Sequence, residues 1–109
     1  MMKHDHLFKI IEEGYRRRIK HFEHEKYLYD IVLAGDSLVA YMNTHQLFPD
    51  VSIMNQGIPG DTTKGLYERI SYMLKVKPKK VFINIGSNDL VILKHRPNEI
   101  VKDIHKIVN

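Results

Sequence analysis

The chain has 109 residues, 43% of them hydrophobic and 28% charged, which suits one small domain with a real core and argues against a disordered or fibrous protein. Its net charge of +4 comes from scattered Lys and Arg, with runs only at Arg16 to Arg18 and at Lys77, Lys79 and Lys80. No basic helix carries interleaved aromatic residues, so solvated faces account for the charge and no nucleic-acid partner is expected, while the absence of cysteine excludes disulfides, zinc-thiolate sites and a cysteine nucleophile.

Lys3, Asp5, Lys9, Glu12 and Glu13 interrupt the N-terminal segment where a signal peptide would need an apolar core. No apolar run approaches the ~18 residues of a membrane span, and a cytoplasmic protein is the expectation. Leu7, Phe8, Ile11, Tyr15, Ile19 and Phe22 recur at steps of three and four, which predicts an amphipathic helix over residues 7–22. Gly14 weakens that helix slightly, and the arginine run falls on its other face.

Ile31, Val32, Leu33 and Ala34 form a continuous apolar run of the kind that strands buried on both faces carry, and predict a first strand over 29–34. Ser37 then opens a helical pattern through Leu38, Val39, Tyr41 and Met42 that stops before Phe48 and Pro49. A second strand is predicted over 51–56, followed by the turn-rich "GIPGDTT", in which Asp61, Thr62 and Thr63 can each cap the next helix. That helix, predicted over 63–76, sets Leu66, Ile70, Met73 and Leu74 on one face. A third strand over 81–85 runs into "GSNDL", and a last helix starts at Pro97 with Ile100, Val101, Ile104 and Val108 on its buried side.

Strands alternating with helices imply a parallel sheet with right-handed crossovers, so all three strand ends share one edge. Three glycine-containing loops leave that edge, at Gly35 to Ser37, Gly57 to Asp61 and Gly86 to Asp89, and ligands of open α/β sheets bind at such an edge. With the first strand between the other two, loops two and three flank Ser37 at about one strand spacing, ~5 Å, on either side. Ser37 alone reads as a helix cap or as a nucleophile. Its backbone N–H, the N–H of Gly60 and the side-chain amide of Asn88 would be donors for an oxyanion, and a side chain at position 60 would obstruct close approach of the backbone to substrate.

In order and spacing the three blocks resemble those of the GDSL (SGNH) serine esterases and lipases: "GDSL" at Gly35 to Leu38, "NQGIPGDTT" at Asn55 to Thr63 and "GSND" at Gly86 to Asp89. The resemblance implies a flavodoxin-like three-layer α/β/α sandwich, with residues 1–28 as an extra helix and lead-in to one domain over 1–109. It implies an ester hydrolase with Ser37 as nucleophile, Gly60 and Asn88 in the oxyanion hole, and Asp36 and Asp89 in support. No cofactor is implied, and the partner would be a small-molecule or lipid ester.

The family's Asp-x-x-His block, which supplies the base, has no match here. Asp103 and His105 have the wrong spacing, His45 ends the helix after Ser37, and His4 and His6 lie near the terminus, which leaves His95 as the histidine to test as a substitute. His21 and His24 beside Glu23 and Glu25 fit a solvated helix face better than a metal site, and no metal is expected. The expectation is therefore a chain ended after its third strand, weakly active or inactive alone, with an open sheet edge through which a homo-oligomer could form. The alternative function is a non-catalytic module that binds phosphate or sugar at the same loops, or a fragment completed by another chain across the open strand edge.

Overall fold

The computed structural model describes residues 4–91 and 93–108. Three parallel strands, β1 (Ile31–Gly35), β2 (Ile53–Gly57) and β3 (Lys80–Asn84), form one sheet in the order β2-β1-β3. Around them run α1 (His4–Glu23), α2 (Ser37–Ala40), α3 (Thr44–Leu47), α4 (Thr63–Glu68), α5 (Ile70–Lys75), α6 (Ser87–Val91) and α7 (Pro97–Val108). The first strand is central, as the position of the loops around Ser37 requires. Gly35 pairs with Gly57 on one side and Asn84 on the other, so the glycine-containing loops leave from one level.

Alternation along the strands divides the sheet into two faces. Val32, Ala34 and Met54 lie in the core with Phe22 of α1, Leu66 of α4, Met73 of α5, Val76 and Ile107. The opposite face, through Ile31, Leu33, Ile53 and Phe82, shares an apolar cavity with Met42 and Phe48 from the α2–α3 segment. Helical segments thus flank both faces, the second thinly, and Phe82 there is 54% exposed.

Several boundaries differ from the sequence expectation, each for a local reason. β1 and β2 each run one residue further than expected and end on Gly35 and Gly57, positions packed too tightly for a side chain, while β3 covers 80–84 in place of 81–85. A Cβ on Gly35 would lie 2.3 Å from the Asn84 carbonyl oxygen, and one on Gly57 2.3 Å from the Ala40 nitrogen. The helix expected after Ser37 breaks into α2 and α3, because Asn43 caps the second piece by accepting from Gln46 N–H, while Asn55 Nδ2 donates to the carbonyls of Val39 and Met42.

The helix expected over 63–76 breaks at Arg69, whose side chain turns inward; Leu66 and Met73 are buried, but Leu74 is exposed. "GSND" is not wholly loop, since Ser87 opens α6. In α7, Ile100 and Ile107 are buried while Val101 and Val108 face solvent, which rotates the expected stripe. α1 is longer than expected, and its Tyr15, Ile19 and Phe22 pack as the periodicity implies; the side chains of His4, His6, Leu7 and Phe8 lie outside those described.

α1 runs beside β2 in the opposite direction. Its early residue Ile11 reaches the β2–α4 loop at Gly60, Arg18 Nη1 donates to the Gly57 carbonyl, and its last residue, Glu23, accepts through its carbonyl from Lys75 Nζ at the end of α5. The N-terminal half of α1 therefore stands at the edge from which the glycine loops leave. Among the described residues no helix is long and apolar enough to cross a membrane.

Candidate active site

The strand-to-helix turn after β1 is closed by Asp36, not by Ser37. Asp36 is the N-cap of α2 and accepts from Leu38 N–H at 3.2 Å. Its other carboxylate oxygen accepts from Ser87 Oγ at 3.2 Å, which fastens the first loop to the third. Ser37 is consequently the first helical residue, half-buried, and among the described residues neither its backbone N–H nor its hydroxyl has an intramolecular hydrogen-bond partner. An unpaired N–H is what the first turn of a helix supplies. The cap reading of Ser37 is thereby replaced, and its hydroxyl is left available.

The second loop is set by backbone angles. Gly60 has φ of +83°, in the left-handed region that favours glycine, and a Cβ there would meet only Ile11 Cγ2 at 3.4 Å. Conformation, more than close approach of a ligand, thus explains glycine at this position. The loop folds on Asp61 N–H to the Ile58 carbonyl, and the Gly60 N–H has no partner among the described residues.

Asn88 Nδ2 donates to the Asp61 carbonyl at 2.8 Å. That bond uses one of the amide's two protons and brings the side chain from the third loop to the residue after Gly60. Asp89 lies fully buried and receives Thr63 N–H and Thr63 Oγ1, the latter at 2.6 Å. It pins the start of α4 to α6, while Thr62 caps α4 through Gly65 N–H.

Beneath these loops is a buried ionic knot that the sequence reading missed. Arg69 and Asp61, 1% and 2% exposed, pair through Nε and Nη2 at 2.8 and 2.7 Å. The same guanidinium donates to the carbonyls of Gln56 and Gly35, so one side chain ties the ends of β1 and β2. Tyr15 Oη adds a bond to Asp61 Oδ1 at 3.1 Å. Burial pushes the Asp61 carboxyl above the usual carboxylate range, opposed by the Arg69 charge. Burial, then the Asp61 carboxylate, also raises the Tyr15 phenol, so it stays a donor. The available signal was positional: Arg69 falls on the apolar stripe between Leu66 and Met73, where a solvated arginine would not.

The histidines divide differently. His95 turns Nδ1 toward Asp89 Oδ1 at 3.7 Å, and its backbone N–H donates to the Asp89 carbonyl, at the α4–α7 junction. Among the described side chains no imidazole hydrogen-bonds Ser37. Asp89, His95 and Asp103 could offer ligand atoms within 4.8 Å of one another. A cation would have to compete there with the Thr63 donors that already hold Asp89.

A family model described as GDSL-like lipase/acylhydrolase matches residues 31–109, and the chain belongs to this family. Solved structures agree. AlinE4, an SGNH-hydrolase family esterase, matches with a TM-score of 0.60 and 27% identity, covering 76% of this chain and 53% of that one. A Streptococcus pneumonia protein described in terms of platelet activating factor matches in fold with a TM-score of 0.76 and 22% identity, over 94% of this chain and 50% of that one. The chain thus spans about half the length of these structures. A comparison with curated proteins finds no match.

Proposed function

We propose that the protein is a serine hydrolase of carboxylic esters, with Ser37 as nucleophile and with Ser37 N–H, Gly60 N–H and the second proton of Asn88 Nδ2 forming the oxyanion hole. The observation that carries this reading is that these three donors, without partners among the described residues, belong to segments leaving the same edge of three adjacent strands. Ser37 Oγ would attack the ester carbonyl carbon as a base removes its proton. The carbonyl oxygen takes up negative charge among the donors, and the alkoxide leaves as the alcohol on receiving that proton. Water then cleaves the acyl-enzyme by the reverse proton path.

Family membership and the esterase AlinE4 support the reaction class. Asp36 and Asp89 support it by fixing loop one to loop three and α6 to α4. No imidazole is bonded to Ser37 among the described side chains, and the matching structures are about twice as long. We therefore place the base outside these 109 residues and expect the 109 alone to turn over esters slowly or not at all. The edge of β3 that pairs with no strand among the described residues is where further strands or a second copy would add, which light scattering would distinguish. The test is hydrolysis of p-nitrophenyl acetate and butyrate by the full-length protein: activity abolished by Ser37→Ala is expected, and undiminished activity in that variant would overturn the assignment.

A further inference from the structure

The N-terminal helix lies outside the family match, yet through Ile11 it reaches the loop that carries Gly60. Two cavities, of about 430 and 250 Å³, lie along α1 on the β2 side and share Gly14, Arg17 and Arg18. The larger one also has His21 on its wall, and neither is lined by a carboxylate. The smaller one reaches Pro59, next to Gly60, and Tyr41, one helical turn after Ser37. Their common arginines are not consumed by acids. Arg17 has no ion pair among the described residues, and Arg18 spends one N–H on the Gly57 carbonyl, which aims its guanidinium along β2. Arg16, by contrast, points away and pairs with Glu12.

Gly14 lines both cavities. A Cβ there would meet only Arg17 Nη2, at 3.9 Å, so the gap is not demanded by packing. Glycine in the middle of a 20-residue helix costs roughly 0.5–1 kcal/mol relative to alanine, and no positive φ at this residue accounts for it. An open groove with two guanidiniums and no carboxylate concentrates positive potential, and guanidinium forks bind phosphate and carboxylate in two-bond geometry.

We propose that this groove binds an anionic group, phosphate or carboxylate, carried by the ester that Ser37 cleaves. The inference rests on the hydrolase reading and deepens it by naming the substrate class. The apolar wall of Ile10, Ile11 and Tyr41 would cover the carbon chain between the anion and the ester.

The test compares kcat/KM for charged and neutral ester pairs in the full-length protein, with Arg17→Gln and Gly14→Leu, the second filling the groove. One arm uses a soluble pair, the p-nitrophenyl monoester of succinate against p-nitrophenyl butyrate. The other uses phosphatidic acid against the corresponding neutral diacylglycerol in vesicles. A charged-to-neutral ratio lowered about tenfold, through KM, is expected in both variants, and the ratio is insensitive to loss of folded protein. A drop in both arms assigns the anion itself, a drop only with vesicles assigns a lipid headgroup, and an unchanged ratio in both arms overturns the proposal. If no ester is turned over, the hydrolase reading fails separately. Thermal stabilisation by inorganic phosphate, lost in Arg17→Gln, then supports the anion site, and no stabilisation overturns it.

Discussion

Replacing Arg69 by methionine keeps the length of the side chain and removes its charge and donors. Asp61, 2% exposed, would keep only Tyr15 Oη and Thr62 N–H, and the Gln56 carbonyl would lose its bond to the guanidinium. Breaking a buried pair from one side costs about 3–5 kcal/mol, because a charge is left without its partner. Small domains have total stabilities of about 5–15 kcal/mol, so the loss is a large fraction. At about 4–8 °C per kcal/mol, the midpoint should fall by at least about 12 °C. Thermal unfolding followed by circular dichroism measures the shift, and urea unfolding the cost in free energy.

Two features separate this account from simple loss of packing. Without the guanidinium, burial acts on Asp61 against only the bonds from Thr62 N–H and Tyr15 Oη, and its folded-state pKa rises further. Stability is then fully present below the unfolded pKa and lost as pH rises through the folded value, so the deficit of Arg69→Met should be smaller near pH 5 than near pH 8. The double variant Arg69→Met with Asp61→Leu should lose less than the sum of the single changes. A cost below about 1 kcal/mol for Arg69→Met, the level of an exposed pair, would refute the reasoning.

Tyr15→Phe removes one bond to Asp61 and, with it, a phenol whose pKa is raised in the folded chain above its ordinary 10.0. That phenol's contribution is present below its unfolded pKa and lost as pH rises above it. The midpoint of the parent should therefore fall more steeply than that of Tyr15→Phe between about pH 9 and about pH 11, and parallel curves would contradict it. Asn88→Ala should lower kcat for a neutral ester by about 10²–10³, the usual effect of removing one oxyanion donor; a change confined to KM would place Asn88 in ground-state binding instead.

Much of the fold was legible because short-range pattern and topology agree. The apolar run at Ile31 to Ala34, the alternation of strands and helices, and the glycines at strand ends all point to the parallel sheet that forms, with β1 at its centre. The helices were less legible where tertiary contacts override local pattern. Asn55 reaches back to two carbonyls and lets α2 stop at Ala40, and Arg69 interrupts α4–α5 by turning into the core. Both depend on partners more than ten residues away, which periodicity does not see.

At the site, residue types, spacing and the family resemblance singled out Ser37, Gly60 and Asn88, with Asp36 and Asp89 in support, but not the contacts through which the supports act. Asp36, Ser87, Tyr15 and Arg69 act through contacts between loops. Cap propensity alone cannot choose between adjacent Asp36 and Ser37. The structure gives the cap to Asp36 because its carboxylate also reaches Ser87.

The central claim is that Ser37 is the nucleophile. The most direct measurement treats folded full-length protein with a fluorophosphonate and locates the adduct by mass spectrometry of peptides. A single adduct on the peptide containing Ser37, absent after heat denaturation and in Ser37→Ala, is the predicted result. No label on folded protein that binds ester substrates, or label on a different serine, would contradict it.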